Sequence, residues 1–506
     1  MTFHLGFVFA AVGLMAGSVG HGATLRLGLE ALPPSFGVPY RTAQIPSIST
    51  TGAIFDGLTR IDRDGTLRPW LATAWSSIDG VTWRFTLRDG VTFSNGAPFT
   101  ADAVKVAVDY LSSDDAAKEG LIREIPRLAA ARVVDPRTVD IVLAEPDASF
   151  PRSASALAIG EPGQWQRLGR DGFGREPVGT GPFALVSWDP NRAVLKAFPG
   201  SWRRPKVDAL EIVQVPDRSA RTQALLADRL DVALGLGVSD MSVLEAAGLQ
   251  AVRIPTAAVA GWSLMLIRDG HKVETPLQDI RVRRAMTMAI DRDAIVAGLL
   301  DGNGQVASQP ATPATYGYNP DLKPLPYDPD AAKRLLAEAG YPDGFSLTMS
   351  SASGPVGADA DVAQRAAEDL AKVGIKVEIR GMPLPQYLQH LSRATFPTDI
   401  FTGAWPSDPN IDALRSLRIH SCLRREPFYC DEAIMPSIRR ALTTMDVDEG
   451  LRLRREIMAW YHDQVPGLYF YQGMRFAGLA RGVTGFDEVH NLVSYDTIEL
   501  PEVRPR

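Results

Sequence analysis

The fold is decided by one stretch, Ile54 to Leu111, which reads IFDGLTRIDRDGTLRPWLATAWSSIDGVTWRFTLRDGVTFSNGAPFTADAVKVAVDYL. Within it, Thr82 to Leu87 alternates bulky and polar residues, the period of a half-buried strand. Arg88-Asp89-Gly90 turns the chain into a second short run that starts at Val91, and Asn95-Gly96 closes that run. Thr100 is then predicted to cap a helix. The apolar face of that helix consists of Val104, Ala107, Val108 and Leu111.

The identities of the residues in this stretch carry more information than its periodicity. Its distinctive residues are Asp56-Gly57-Leu58, Pro69-x-Leu71-Ala72-x-x-Trp75, Trp83-x-Phe85-x-Leu87-Arg88-x-Gly90-Val91-x-Phe93 and Thr100-Ala101-x-x-Val104. A second set follows further along the chain, Val178-Gly179-Thr180-Gly181-Pro182-Phe183. Together they resemble the signatures of the extracytoplasmic solute-binding proteins of ABC importers, family 5, the oligopeptide, dipeptide and nickel group. Most of these residues are expected to be scaffold that identifies the family without contacting a ligand.

The resemblance covers nearly the whole mature chain and implies an α/β fold, the large, class II-like periplasmic binding protein fold. Two lobes would be joined at a hinge by two crossing segments, with an extra subdomain inserted in the first lobe. The expected division is 1-23 for a signal peptide, 24-53, 175-260 and 475-506 for lobe I, 54-174 for the inserted subdomain and 261-474 for lobe II. A chain of 506 residues is too long for a single hydrophobic core, which agrees with this division.

The second lobe shows the repeated helix, stop and strand order of an α/β unit. Asp328 is predicted to cap a helix that has Pro329 at its first position and ends at Gly340. A second amphipathic helix is predicted from Asp361 to Val373, followed by a strand from Ile375 to Ile379. A further short strand, 399–402, leads to Trp405.

Composition narrows the function classes. Hydrophobic residues make up 45% and charged residues 22%, an ordinary balance for a soluble globular protein. The net charge of −6 with mixed signs gives no reason to expect nucleic-acid binding. The seven histidines are scattered, with no two at i, i+4 spacing, so neither a metal site nor a cofactor is expected.

The first 23 residues differ from the rest of the chain. Leu5 to Ala16 is an uncharged apolar run, too short to span a bilayer, and small residues follow it up to Ala23. This pattern predicts a secretory signal that is cleaved after Ala23, with cleavage after Gly20 as the alternative. No cysteine lies near the junction, so a lipid anchor is not expected. The mature chain is therefore predicted to reside in the periplasm.

Cys422 and Cys430 are the only two cysteines. In an oxidising compartment such a pair is expected to form a local disulfide. Their spacing does not fit a redox Cys-x-x-Cys motif. The bond is expected to stiffen a loop rather than to hold the fold together.

The best candidate for a ligand site is Trp405-Pro406-Ser407-Asp408-Pro409. In the peptide binders that the chain resembles, a Trp followed three positions later by an Asp lies in the cleft. That Asp pairs with the α-ammonium group of the ligand. A carboxylate suits this role because a desolvated ammonium needs a charged acceptor. The alternative is that Asp408 is only a turn or helix-cap residue before Pro409.

Three aromatic residues complete the expected ligand site. Trp405 and Trp262 could be ordinary core residues, or flat apolar walls that stack on a ligand. Tyr40 lies in a turn-rich loop, 31–50, and loops of this kind often reach a cleft. Some oligopeptide binders place an Arg three residues before the Trp to receive a carboxylate. Here that position is Thr402, so the resemblance leaves the contact to a peptide C-terminus open.

The resemblance implies a monomer that captures a peptide or peptide-like solute in the cleft and closes around it. The loaded protein would then deliver the solute to the ABC permease subunits in the membrane. The same fold could instead bind an opine, an oligosaccharide or a metal chelate. A secreted hydrolase is the rival from another class, although the sequence contains no Gly-x-Ser-x-Gly, His-Glu-x-x-His or P-loop motif. The chain is therefore not expected to be an enzyme.

Overall fold

The computed structural model describes residues 23–41, 47–353 and 359–501. The strands within these ranges are, in chain order, β1 (Thr24–Leu29), β2 (Thr59–Ile61), β3 (Leu67–Pro69), β4 (Ala72–Ser77), β5 (Thr82–Leu87), β6 (Leu128–Asp135), β7 (Thr138–Leu143), β8 (Phe183–Asp189), β9 (Arg192–Ala197), β10 (Ala209–Gln214), β11 (Val232–Leu236), β12 (Gln250–Leu264), β13 (Ile267–Arg268), β14 (His271–Lys272), β15 (Phe345–Ser353), β16 (Ile375–Pro383), β17 (Ile400–Pro406), β18 (Gly467–Leu479), β19 (Glu488–Val489) and β20 (Leu492–Val493).

The α-helices are α1 (Ser47–Thr51), α2 (Ala101–Leu111), α3 (Phe150–Ser153), α4 (Pro162–Arg175), α5 (Arg218–Leu226), α6 (Val238–Ala246), α7 (Ile280–Ala289), α8 (Arg292–Leu299), α9 (Pro329–Glu338), α10 (Asp359–Ala371), α11 (Leu384–Arg393), α12 (Ala413–Ser416), α13 (Met435–Thr443) and α14 (Val447–Gln464). None of the helices in the described ranges combines the length and the apolar character needed to span a bilayer. The signal peptide predicted for residues 1-23 lies, except for Ala23, outside the described residues.

A ten-stranded sheet runs through the molecule in the order β16-β15-β17-β12-β18-β11-β1-β10-β9-β8. Its middle strands, β12 and β18, pair antiparallel from Gln250 opposite Leu479 to Ser263 opposite Gly467. At one end β18 also pairs with β11, and at the other end β12 also pairs with β17. Because each long strand belongs to both halves of the sheet, β12 and β18 are the two crossing segments, and the expected two-lobed α/β fold is confirmed.

The β12–β18 ladder is irregular near its middle. Its register shifts between Pro255 and Val259 and again between Ala260 and Gly261. A register shift leaves residues unpaired and bends the strand locally. The ladder that joins the two lobes is therefore interrupted near its middle, where bending costs less than in a regular ladder.

The hydrophobic core is divided into three large clusters. One lies between residues 262 and 471, and a second combines residues 25–55, 173–254 and 476–498. The third lies between residues 40 and 159 and is called the inserted unit below. The order of these clusters along the chain agrees with two lobes and an insertion. The domain boundaries given above remain a prediction.

The deciding stretch builds the inserted unit. Thr82–Leu87 is a strand, as predicted, in the four-stranded sheet β4-β5-β7-β6. The second predicted run does not become a strand, because Thr92 makes only an isolated bridge to Pro98. Thr100 precedes α2 as predicted, yet its side chain makes no capping bond. Its hydroxyl lies 3.4 Å from the carboxylate of Asp102 instead.

The second lobe follows its predicted pattern. Asp328 Oδ1 accepts a hydrogen bond from the Ala331 amide at 2.8 Å, which caps α9. Helix α10 precedes β16, and β16 pairs in parallel with β15. The predicted strand at 399–402 is longer in the structure and reaches Pro406. This strand, β17, carries the chain to the candidate ligand site.

Candidate functional site

Asp408 lies two residues beyond the end of β17. Its Oδ1 atom is buried and accepts no hydrogen bond from any residue that the structure describes. Burial raises the pKa of this carboxyl above its ordinary value, and the nearby Arg415 and Arg475 oppose that rise. A buried carboxylate without a partner is costly, so the site is suited to a cationic group supplied from outside the chain.

Asp408 lines a cavity of about 90 Å³, called the Asp408 cavity below, together with residues of the first lobe. The charged residues of that lobe have partners. Arg203 pairs with Asp56 at 2.7 Å. Arg60 lies 4.5 Å from the centre of the Trp70 ring and donates a 2.6 Å hydrogen bond to Ser494. Among these cavity-lining charges, Asp408 is the one with a buried carboxylate oxygen that no described residue bonds.

Trp405 is a core residue. Its side chain is fully buried, with its ring centre 5.0 Å from that of His420 and 4.8 Å from that of Tyr469. Strand β18 passes close to the ring at Gly467, where an added Cβ would lie 2.2 Å from it. Trp405 therefore fixes the position of β17 and so of the carboxylate three residues later. Its indole nitrogen has no hydrogen-bond partner among the described residues.

Trp262 and Tyr40 occupy different places. Trp262 is 1% exposed and packs on Phe470, and it also contributes to the wall of a second pocket described below. Tyr40 is buried in the inserted unit, between Tyr110 and Trp165. The Asp408 cavity is lined by its neighbour, Pro39. The structure thus brings Trp405 and Asp408 together on one segment and leaves Tyr40 in a separate core.

A larger pocket, about 440 Å³ in volume, lies beside β17 and is called the apolar pocket below. Its lining residues are Ala260, Gly261, Trp262, Ser263, Ala352, Val362, Leu384, Tyr387, Leu388, Leu391, Phe401, Thr402, Gly403, Ala404, Pro406, Arg415, Ile419, Phe470 and Tyr471. Pro406, at the end of this pocket wall, is two residues from Asp408. The apolar pocket and the Asp408 cavity therefore lie at neighbouring positions along the chain.

Strand β17 has an open edge along the apolar pocket. On one side it pairs with β12 from Ile400 to Pro406. On the other side it pairs with β15 only at Ile400 and Phe401. From Thr402 to Pro406 this second side has no strand partner among the described residues. An extended peptide can add to such an edge through main-chain hydrogen bonds.

Residues after Asp408 bridge the second lobe to the inserted unit. Arg415 forms a salt bridge with Glu124, with both side chains less than one-fifth exposed. Arg152 of α3 donates hydrogen bonds to the carbonyl groups of Asn410 at 2.8 Å and Ile411 at 3.0 Å. Burial lowers the pKa of this guanidinium to about 10. These contacts hold the segment that carries Asp408 against the opposite wall.

Sequence reasoning missed Arg415 and Arg152. Arg415 lies in the short helix α12, seven residues after Asp408, and Arg418 follows two residues after that helix ends, so two cations lie close together in the sequence. That pattern could have been noticed. No pattern around Arg152 indicated its role, because the carbonyl groups of Asn410 and Ile411 that accept from it are more than 250 residues away.

The loop that follows the site is closed by the disulfide between Cys422 and Cys430, whose Cα atoms are 4.7 Å apart. Within the loop Phe428 packs against Phe401 of β17, with ring centres 4.5 Å apart. The Phe428 carbonyl also accepts a 3.0 Å hydrogen bond from Leu266. The disulfide loop therefore supports the strand that lines the apolar pocket.

Comparison with known proteins agrees with this architecture. The chain is 30% identical to the glutathione-binding protein GsiB of Salmonella typhi over 466 residues, 88% of this chain and 89% of that protein. Its fold matches HbpA2 from Haemophilus parasuis, with a TM-score of 0.80, 23% identity and coverage of 94% of this chain and 100% of that one. It also matches the DppA protein from Helicobacter pylori in complex with the peptide STSA, with a TM-score of 0.75, 23% identity and coverage of 95% and 98%.

The family assignment rests on the sequence. Residues 66–419 match the family model described as "Bacterial extracellular solute-binding proteins, family 5 Middle". This match covers more than half of the chain and includes most of the stretch that decides the fold, together with the segment that carries Asp408. The chain therefore belongs to family 5 of the bacterial extracellular solute-binding proteins.

Proposed function

We propose that this protein captures a peptide in the cleft beside β17 and delivers it to the membrane permease of an ABC importer. The observation that carries the proposal is the buried Oδ1 atom of Asp408, which has no hydrogen-bond partner among the described residues and lies two residues beyond a strand with an open edge. The α-ammonium group of a peptide would supply the missing partner. The peptide main chain would pair with the edge beyond Thr402, whose carbonyl already accepts from the Tyr387 hydroxyl.

The relatives support this choice of ligand. GsiB is described as glutathione-binding, and the DppA structure contains the peptide STSA. Glutathione and STSA are both short peptides, although the identity to DppA is too low to carry a ligand by itself. The two candidate contacts in this chain, an acceptor for an ammonium and a strand edge, fit such molecules.

Binding is coupled to closure of the lobes in this proposal. The hinge is the irregular part of the β12–β18 ladder, and the Arg415–Glu124 pair joins the two walls in the closed form. A monomer in this form would dock on the permease, whose ATPase supplies the work of transport. The protein acts in the periplasm after residues 1-23 are removed, so N-terminal sequencing of the exported protein should begin near Thr24. An exported chain that retains Met1 would contradict this part.

The proposal includes no catalytic step. Ser263 and His420 form a serine–histidine pair at 3.0 Å, an arrangement that a hydrolase could use for nucleophilic catalysis. Both side chains are fully buried, and burial lowers the pKa of the His420 imidazole to about 3. Its Nδ1 atom has no partner among the described residues, so no carboxylate orients the ring as a base. Mass spectrometry of peptide after incubation with the protein should find it uncleaved.

Titration calorimetry with a peptide and its N-acetylated form tests the ligand assignment. Acetylation removes the ammonium charge and leaves the main chain and side chains unchanged. The free peptide should bind, and the acetylated peptide should bind at least about tenfold more weakly because Asp408 is then left without a cation. Equal affinity for the two forms would overturn the role of Asp408. No binding of either form would favour one of the other solutes of this fold.

A further inference from the structure

The wall of the apolar pocket is built mainly from large hydrophobic side chains. Helix α11 contributes Leu384, Leu388 and Leu391, which have the i, i+4, i+7 spacing of a single helical face. The opposite wall includes Phe401 and Phe470. A volume of about 440 Å³ is far larger than an alanine side chain requires. The pocket therefore has room for a bulky apolar group.

Polar groups on the pocket wall already have partners within the protein. The Tyr387 hydroxyl donates to the Thr402 carbonyl. The Ser263 hydroxyl is paired with His420, and the guanidinium of Arg415 is paired with Glu124. A charged ligand side chain placed here would lose its water without gaining a free partner from these groups, which is unfavourable. The pocket therefore disfavours charged side chains.

Two of the α11 leucines remain open to solvent at the pocket. Leu388 is 51% exposed and Leu384 is 39% exposed, which places both among the most exposed large hydrophobic residues described. Covering such side chains with an apolar group releases water and is favourable. Because they line the same pocket as the open edge of β17, a peptide on that edge is the group best placed to cover them.

We propose that the apolar pocket selects peptides with a bulky apolar side chain, aromatic or branched aliphatic, and that Leu388 is a determinant of this specificity. This inference rests on the proposed function, because the peptide must first be held at Asp408 and along β17. The side chains of an extended peptide point alternately to opposite sides. One of two adjacent residues near the N-terminus would then enter the pocket.

Titration calorimetry with three tetrapeptides tests the inference: Ala-Phe-Phe-Ala, Ala-Ala-Ala-Ala and Ala-Glu-Glu-Ala. Doubling the variable residue ensures that one copy faces the pocket in either register. The phenylalanine peptide should bind roughly tenfold or more tightly than the alanine peptide, because it buries more apolar surface. The glutamate peptide should bind more weakly than the alanine peptide.

The variant Leu388→Glu should reduce the preference for phenylalanine over alanine to about one-third or less while the alanine peptide still binds. Its matched control is Val243→Glu on α6, a residue of comparable exposure, 45%, that does not line the pocket. The control should leave the preference unchanged, and thermal melts of both variants check folding. Similar affinity for all three peptides, or an unchanged preference in Leu388→Glu, would overturn this inference and leave the proposed function standing. Failure of every tetrapeptide to bind would overturn the proposed function as well.

Discussion

Asp408 shows how a single residue links burial to function. Its buried carboxyl, with the Oδ1 atom unbonded by any described residue, lowers the stability of the unliganded protein, because ionisation in a desolvated site is unfavourable. Trp405 and Gly467 fix its position by close packing rather than by polar contacts. A cationic ligand would therefore offset the part of the desolvation cost that Arg415 and Arg475 leave.

The variant Asp408→Asn should weaken peptide binding by about 2–5 kcal/mol, since the ligand ammonium is then left without its charged partner. The unliganded variant should melt no lower than the parent protein, because the buried Oδ1 atom accepts no hydrogen bond from any described residue. Calorimetry and a thermal melt without ligand measure the two effects. Unchanged affinity, or a large fall in melting temperature, would show that Asp408 is a structural turn residue.

The raised pKa of Asp408 gives the pH dependence a definite sign. The folded carboxyl keeps its proton to a higher pH than the unfolded one, so this group's contribution to stability falls as pH rises from about 4 through the folded pKa. Peptide affinity should change in the opposite sense and weaken as pH falls through the same range, because only the ionised form pairs with the ammonium. Calorimetry from neutral to acidic pH should show this trend in the parent protein and a smaller one in Asp408→Asn. The same trend in both proteins would contradict the assignment.

At the scale of elements, the crossing of β12, β17 and β18 sets the geometry of the site. Glycines make this crossing possible. An added Cβ at Gly261 would lie 1.9 Å from the Leu468 carbonyl oxygen, and one at Gly467 would lie 2.2 Å from the Trp405 ring. The strands can approach closely only because these positions lack side chains.

Gly467→Ala should lower the free energy of unfolding by about 1–3 kcal/mol, because the Trp405 ring and β17 must move to admit the methyl group. The matched control is Gly298→Ala in α8, where an added Cβ meets no atom within 4 Å. That change should raise stability by about 0.5–1 kcal/mol through helix propensity. Denaturant unfolding measures both, and a neutral Gly467→Ala would show that the crossing is less tightly packed than described.

The disulfide closes a short loop, since its cysteines are eight positions apart. Replacing both Cys422 and Cys430 with serine should lower stability by about 2–3 kcal/mol, the loop-entropy value for that length. The loss should be seen in denaturant unfolding, and the parent protein should take up alkylating reagent only after reduction. Two alkylated thiols without prior reduction would show that the bond does not form in the exported protein.

At the scale of the whole molecule, contacts between the inserted unit and the second lobe join the two sides of the cleft. Arg415 and Arg152 belong to opposite sides of the cleft, and each contacts the other side. The Ala148 amide also donates to the Leu442 carbonyl, Arg418 donates to the Arg123 carbonyl, and β12 and β18 run through both lobes. Ligand affinity should therefore depend on these distant contacts as well as on Asp408.

Glu124→Gln should weaken peptide binding by about 1–3 kcal/mol, between the values for exposed and buried ion pairs, because the closed form loses its salt bridge. Asp109→Asn, which breaks the exposed pair with Lys105, is the control and should have no measurable effect. Calorimetry gives the affinities, and small-angle scattering should show a larger average radius for Glu124→Gln with ligand present. If both variants have the affinity and the radius of the parent protein, closure of the lobes does not contribute to binding.

The sequence predicted the architecture better than the surroundings of individual residues. The wording around Trp83 and Asp56 identified the family, and periodicity located β5, α9 and β17, because these signals are local. Burial depends on contacts between distant parts of the chain. The sequence pattern therefore could not show whether Trp405 and Trp262 are pocket walls or core residues, and it could not show that Tyr40 packs in the inserted unit. The apolar pocket and the Arg415–Glu124 pair join residues that are far apart in the chain, and no local pattern predicts them.

The central claim, that a peptide is held by its ammonium group at Asp408, is tested most directly by native mass spectrometry of the protein purified from the periplasm without denaturation. The account predicts a bound species that is a short peptide with a free N-terminus, and it predicts that Asp408→Asn carries little or none of it. A bound opine, oligosaccharide or metal chelate, or the same peptide at equal occupancy on Asp408→Asn, would contradict the claim.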